Sequence, residues 1–213
     1  MAFNYEELKS NLEQGNAKKV SDLVLMALES GEEASKILNN GLISAMNDVG
    51  IKFKEGEFFV PEVLVAAKAM QEGLNVLNPI LAADNVDVKK GTIVIGTVKG
   101  DLHDIGKRLV AMMMQGSGFE IVDLGTDVPP QKFVEKVKEI KPNLVGMSAM
   151  LTTTMPYMKQ TIEELKAEGL YEKVKVMIGG APVSEKYAKD IGAHYSFDAP
   201  SAVELANNLI ACR

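Results

Sequence analysis

Apolar residues recur at three- and four-residue intervals through the first part of the chain: Leu8 and Leu12, then Val20, Leu23, Val24, Ala27 and Leu28, then Ile37, Leu38, Leu42, Ile43 and Met46. This spacing lays one apolar stripe along a helix, and it predicts four or five helices between residue 4 and about residue 83. Gly15, Gly31 and Gly56 interrupt the pattern as loop signals. Another helix starts at Val60-Pro61, with proline in the first turn, where a missing N–H costs nothing. Together these segments predict a helical bundle.

From Lys89 the rhythm changes. Short β-branched runs at residues 92–98, 120–124, 144–148, 174–178 and 194–197 alternate with amphipathic stretches. Five such βα units predict a parallel sheet covered by helices on both faces. The fold class is therefore α/β, a helical bundle followed by a five-stranded, doubly wound sheet. The polar, acidic stretch at residues 83–91 reads as a linker, dividing the chain into 1–88 and 89–213.

Composition narrows the function classes. A chain of 213 residues with 46% hydrophobic content can build a proper core without covalent staples. Its one cysteine, Cys212, leaves no disulfide framework and no cysteine cluster for zinc or iron–sulfur, so the cytoplasm is the default compartment. The first residues lack the basic segment and long apolar run of a signal peptide, and no run reaches membrane-spanning length. A net charge of −6, with Lys and Arg scattered among acids, argues against a nucleic-acid partner. Twelve methionines and no tryptophan fit helix cores and irregular packing.

Ligands of doubly wound parallel sheets gather at the carboxyl ends of the strands where the order reverses. For the flavodoxin-like order 2-1-3-4-5 that point lies between the first and third strands. The first strand runs into a loop with one of only two histidines, His103, with Asp101 before it and Gly106 after it. The third runs into Ser148-Ala149-Met150-Leu151-Thr152-Thr153-Thr154, and the fourth ends in Gly179-Gly180, a pair that lets a ligand lie against the backbone. An imidazole near a carboxylate suggests a metal ligand. A lone histidine in such a loop is more often a surface or capping residue, and the threonines could simply cap a helix. Neither Gly-x-Gly-x-x-Gly nor a Gly-Lys-Ser/Thr ending is present, which disfavours nicotinamide and nucleotide triphosphates. Asp101, Asp104, Asp123 and Asp127 invite comparison with a phosphoacceptor pocket but lack its paired first-loop acid and late lysine.

Taken together, Asp101-x-His103-x-x-Gly106, Ser148-x-Met150 and Gly179-Gly180 resemble the signature of the cobalamin-binding domain shared by methionine synthase, the carbon-skeleton mutases and corrinoid methyl carriers. The intervals between the three motifs match that family's spacing. Met150 stands where the family usually has leucine, a volume-conserving swap expected to keep the packing.

The resemblance implies a cobalamin or related corrinoid bound base-off, with His103 replacing the cofactor's own base as lower axial ligand to cobalt. It implies that Asp101 accepts the other ring N–H, that Thr154 completes a triad, and that Asp101 and His103 form a protonatable pair coupling ligand release to proton movement. Gly106 belongs to the same cofactor-binding motif. Ser148 and Thr152 would contact the nucleotide tail, with Gly179 and Gly180 lining its slot.

Residues 56–64 resemble the cap of methyl-transferring corrinoid proteins, which makes Phe58, Phe59, Val60 and Leu64 candidates for an apolar cover and residues 83–91 a hinge. The implied function is a non-catalytic methyl carrier. It would take a methyl group on Co(I) from a substrate:corrinoid methyltransferase, the substrate being a methylated amine, and donate it from methyl-Co(III) to a second methyltransferase acting on tetrahydrofolate or coenzyme M. A reductive activase would be the third partner. The alternatives are a cobalamin-dependent sensor, which would need a DNA-binding domain, and a mutase small subunit, which would lack the helical cap.

Overall fold

The computed structural model describes residues 3–83 and 89–211. Cys212 and most of the expected hinge, residues 84–88, lie outside the described residues. The chain divides into two compact units, one within Met1–Lys89 and Gln115–Gly118, the other within Lys90–Met114 and Phe119–Arg213.

The first unit is helical. Its elements are α1 (Tyr5–Glu13), α2 (Ala17–Glu29), the single turn α3 (Ala34–Lys36), a π-helical stretch (Ile37–Ile43), α4 (Ser44–Lys54) and α5 (Val60–Ala83). Asn4 caps α1 by accepting the Glu7 N–H at 3.4 Å. The apolar stripe closes inward as the spacing predicts, burying Leu8, Leu12, Val20, Leu23, Val24, Ile37, Leu42 and Met46. Gly41 allows close approach, because a Cβ there would stand 2.6 Å from Leu8 Cδ2. Among the described residues no helix is long and apolar enough to cross a membrane.

The second unit is an α/β sandwich. Strands β1 (Gly91–Thr97), β2 (Phe119–Asp123), β3 (Leu144–Ser148), β4 (Lys175–Gly179) and β5 (His194–Tyr195) form one parallel sheet in the order β2-β1-β3-β4-β5. Alternate residues serve opposite faces. Ile93, Leu144 and Met177 pack with Met114 of α6 (Ile105–Gly116) and with Ala202 and Ala206 of α10 (Ala199–Ala211). Val94, Val145 and Val176 pack with Phe133 of α7 (Pro130–Ile140), Ile162 of α8 (Pro156–Ala167) and Ile191 of α9 (Glu185–Ile191). Both α7 and α8 begin with proline, the position where the ring is preorganised for a helix.

The last strand is shorter than the expected 194–197. Ser196 still donates to the Ile178 carbonyl, but Asp198 already accepts the Ser201 N–H at 2.8 Å and starts α10, which ends the ladder.

Candidate functional site

The strand order turns at β1, which has β2 on one side and β3 on the other. Register aligns the three motifs at the carboxyl edge: Thr97 pairs with Ser148, and Ser148 with Gly179. The Val98 N–H donates to the Ser148 carbonyl at 3.0 Å and the Ala149 N–H to the Gly179 carbonyl at 3.2 Å, carrying the ladder into the loops.

Asp101 lies at the centre of the loop network, with its side chain 0% exposed. Oδ1 accepts from His103 Nδ1 at 2.7 Å and from the His103 backbone N–H at 3.1 Å. Oδ2 accepts the Met150 N–H at 2.7 Å, the Leu151 N–H at 3.3 Å and the Thr154 hydroxyl at 2.9 Å. The Thr154 hydroxyl also has the Leu151 carbonyl at 2.9 Å, but it has one proton, and the charge-assisted bond to the carboxylate is the stronger. Burial by itself would raise the Asp101 pKa. Bonds from the Met150 N–H, the His103 ring, the His103 N–H and the Thr154 hydroxyl outweigh it and hold the carboxyl well below the ordinary carboxylate range.

The chemical consequence falls on His103. Facing an ionised acceptor, Nδ1 carries a proton, which leaves the Nε2 lone pair of the neutral ring uncommitted. The side chain is 57% exposed, so that nitrogen is offered outward from an anchored ring. Among the described residues no three His, Cys, Asp or Glu side chains gather to hold a metal. Leu102, Ile105, Met150 and Leu151 are exposed apolar residues in the same two loops and the adjoining helix start, and a Cβ on Gly106 would meet open space. An imidazole donor, an apolar rim and space beside Gly106 fit a large, mostly apolar ring.

Not every expected residue behaves as its type suggested. Met150 keeps no leucine-like packing: its side chain is 48% exposed, and its backbone N–H is what binds Asp101. Thr152 is exposed and Ser148 half-buried. Around Gly179 and Gly180 the nearest space is taken by the chain itself, with Ser196 O 3.1 Å and Ala149 O 1.9 Å from the respective ideal Cβ positions. The protonatable pair is also unequal, because five donors keep Asp101 ionised. His194, the other histidine, pairs opposite Met177 within the sheet, its pKa lowered by burial and then by Lys175.

Sequence reasoning missed the apolar rim, the buried Thr97 whose hydroxyl donates to the His103 carbonyl at 2.9 Å, and the buried Lys107 paired with Asp123. Leu102 and Ile105 left a signal, since they break the polar character of a loop. Thr97 left none in a run of β-branched residues.

Two families, each described as a B12 binding domain, match residues 91–204 and residues 5–78. Dimethylamine corrinoid protein 1 of Methanosarcina mazei is 46% identical over 209 residues, covering 96% of this chain and 97% of the relative. The chain belongs to the B12-binding corrinoid protein family. Solved structures resemble this corrinoid protein along nearly its whole length. A cobalamin-binding protein from Desulfitobacterium hafniense DCB-2 matches with a TM-score of 0.80 at 33% identity, covering 98% of this chain and 99% of that one. A chain of the methanol:cobalamin methyltransferase complex of Methanosarcina barkeri matches with a TM-score of 0.86 at 28% identity, covering 97% of this chain and 79% of that one.

Proposed function

We propose that this corrinoid protein is the methyl-carrying subunit of a methylamine methyltransferase system, and that His103 is its ligand to the cobalt of a corrinoid bound with its own base displaced. The observation that carries the reading is the hydrogen-bonded row Thr154–Asp101–His103, which anchors one ring nitrogen and leaves the other free. A bound corrinoid would supply a cobalt centre that takes a methyl group from one partner protein and releases it to another.

The chain's residues have separate tasks in this reading. Asp101 fixes the His103 tautomer and raises the donor strength of Nε2. The amides of Met150 and Leu151 and the Thr154 hydroxyl keep that carboxylate charged and in place. Gly106 would leave room for the ring, Leu102, Ile105, Met150 and Leu151 would seat its apolar edge, and Ser148, Thr152 and Gly179 would face the nucleotide tail, while Gly180, without a Cβ, lets the chain pass against Ala149 beside them. Residues 89–213 take the cofactor-binding role and residues 1–88 that of a helical cap.

Relatives named dimethylamine and trimethylamine corrinoid proteins support a methylated amine as the methyl source. The partners in this reading are a substrate:corrinoid methyltransferase, a second methyltransferase acting on tetrahydrofolate or coenzyme M, and a reductive activase. The test is reconstitution with cobalamin, reduction, and incubation with each methylamine:corrinoid methyltransferase and its amine. The expected result is a retained corrinoid whose visible spectrum shifts to the methylated form with one of the amines. Loss of all corrinoid on desalting would contradict the binding reading, and a retained but never methylated corrinoid would contradict the amine.

A further inference from the structure

Asp123 and Asp127 take no part in the bonds around the His103 ring, yet Asp127 bonds to the loop that carries it and Asp123 to the helix that follows that loop. Asp127 sits at φ +54°, in the left-handed region that Asp and Asn tolerate better than other non-glycine residues. In that conformation it grips neighbouring residues from two sides: its Oδ1 accepts the Gly100 N–H at 2.7 Å, and its own N–H donates to the Asp101 carbonyl at 3.0 Å. The loop presenting it is shaped by Asp123, whose carboxylate accepts the Gly125 N–H at 2.9 Å and pairs with the buried Lys107 ammonium. Lys107 directly follows Gly106 in α6. At the far end of the same loop the Thr97 hydroxyl holds the His103 carbonyl. The residues from 100 to 103 are thus fastened at both ends, and the β2–α7 loop supplies the fastening at Asp101.

We propose that Asp127 is a positioning residue for the His103 ligand: its paired bonds to Gly100 and Asp101 set where the Asp101 carboxylate, and through it the imidazole, stands when a corrinoid binds. A non-glycine residue held at positive φ costs the fold something, and such outliers persist where surrounding structure over-determines them. Here the conformation aims the carboxylate and the amide of one residue at two consecutive residues, one of which carries the side chain bonded to His103. The proposal rests on the corrinoid reading for its purpose but not for its geometry, which concerns the ring in the apoprotein as well.

Three variants separate positioning from loop stability. Asp127→Asn keeps an acceptor and tolerates the left-handed backbone. Asp127→Gly keeps the backbone conformation without strain but loses the carboxylate. Asp127→Ala loses the carboxylate and keeps the strain. The first readout is the apoprotein, labelled with nitrogen-15 histidine, in which exchange of the His103 Nδ1 proton with water is followed by nuclear magnetic resonance. D127G and D127A should exchange about tenfold faster than wild type, the scale of one hydrogen bond's net contribution, and D127N should be restored to near wild type.

The second readout is the Co(II) resonance spectrum after cobalamin reconstitution. The fraction showing histidine nitrogen splitting should fall in D127G and D127A and recover in D127N. Unchanged proton exchange together with unchanged splitting in D127G would overturn the proposal, whatever its melting temperature. D127G carries the test if D127A does not fold. Failure of the wild-type protein to retain corrinoid would remove the corrinoid reading, while the proton-exchange comparison would still decide whether Asp127 positions the ring.

Discussion

At Gly106, in the first turn of α6, an added Cβ would meet nothing within 4 Å, whereas at Gly180, just past β4, it would stand 1.9 Å from the Ala149 carbonyl oxygen on a backbone with φ +127°. Both glycines belong to motifs at the carboxyl end of one sheet. One leaves space that the chain does not use, and the other is required by the chain's own packing. A shared motif therefore mixes residues that serve a ligand with residues that serve the fold, and substitutions distinguish them.

The largest effect should come from Gly180→Ala. Strain at a special backbone angle and overpacking against a carbonyl each cost about 1–3 kcal/mol, so urea unfolding should show a loss of roughly 2–6 kcal/mol. An unchanged midpoint would remove the distinction. Asp101→Asn comes next, since an amide NH₂ would face donors where a carboxylate accepts five bonds, and a buried mismatch of this kind costs about 1–3 kcal/mol.

That difference should depend on pH. Because the folded carboxyl titrates below its ordinary value of about 3.9, its stabilisation is full above that value and is lost as pH falls through the lower, folded one. The gap between wild type and D101N should therefore narrow in acid, and a gap constant down to the lowest usable pH would contradict the account.

The smallest effect on the fold belongs to Gly106→Ala, which should leave stability unchanged or raise it by up to about 1 kcal/mol, as alanine is the better helix former. The same substitution should weaken corrinoid retention measured by titration. Reduced stability, or undiminished affinity, would break the comparison from its other side.

The sequence displayed the two halves and the strand order well, because helix and strand periods differ and parallel βα units leave few arrangements. It hid the π-helical stretch, since Ile37, Leu38, Leu42 and Ile43 keep ordinary helical spacing while the backbone widens. It overstated the last strand, where the Asp198 cap competes with pairing. At the site, the resemblance to the cobalamin-binding signature pointed to Asp101, His103 and Thr154, and the structure brings them into one bonded row. Asp127 and the Lys107–Asp123 pair were not assigned roles, because their partners lie in elements distant in sequence and only the register of β1 beside β2 brings those elements together. Met150 was misleading for a related reason: its side chain suggested packing, but its amide makes the contact.

The central claim is that His103, and not the cofactor's own base, binds cobalt through Nε2. The direct measurement is the Co(II) resonance spectrum of cobalamin-reconstituted protein prepared with natural and with nitrogen-15 histidine, with His103→Ala as control. The account predicts a nitrogen triplet that becomes a doublet on labelling and disappears in H103A. A triplet that persists unchanged in the labelled protein would mean the cofactor's base remains on the metal, and would contradict it.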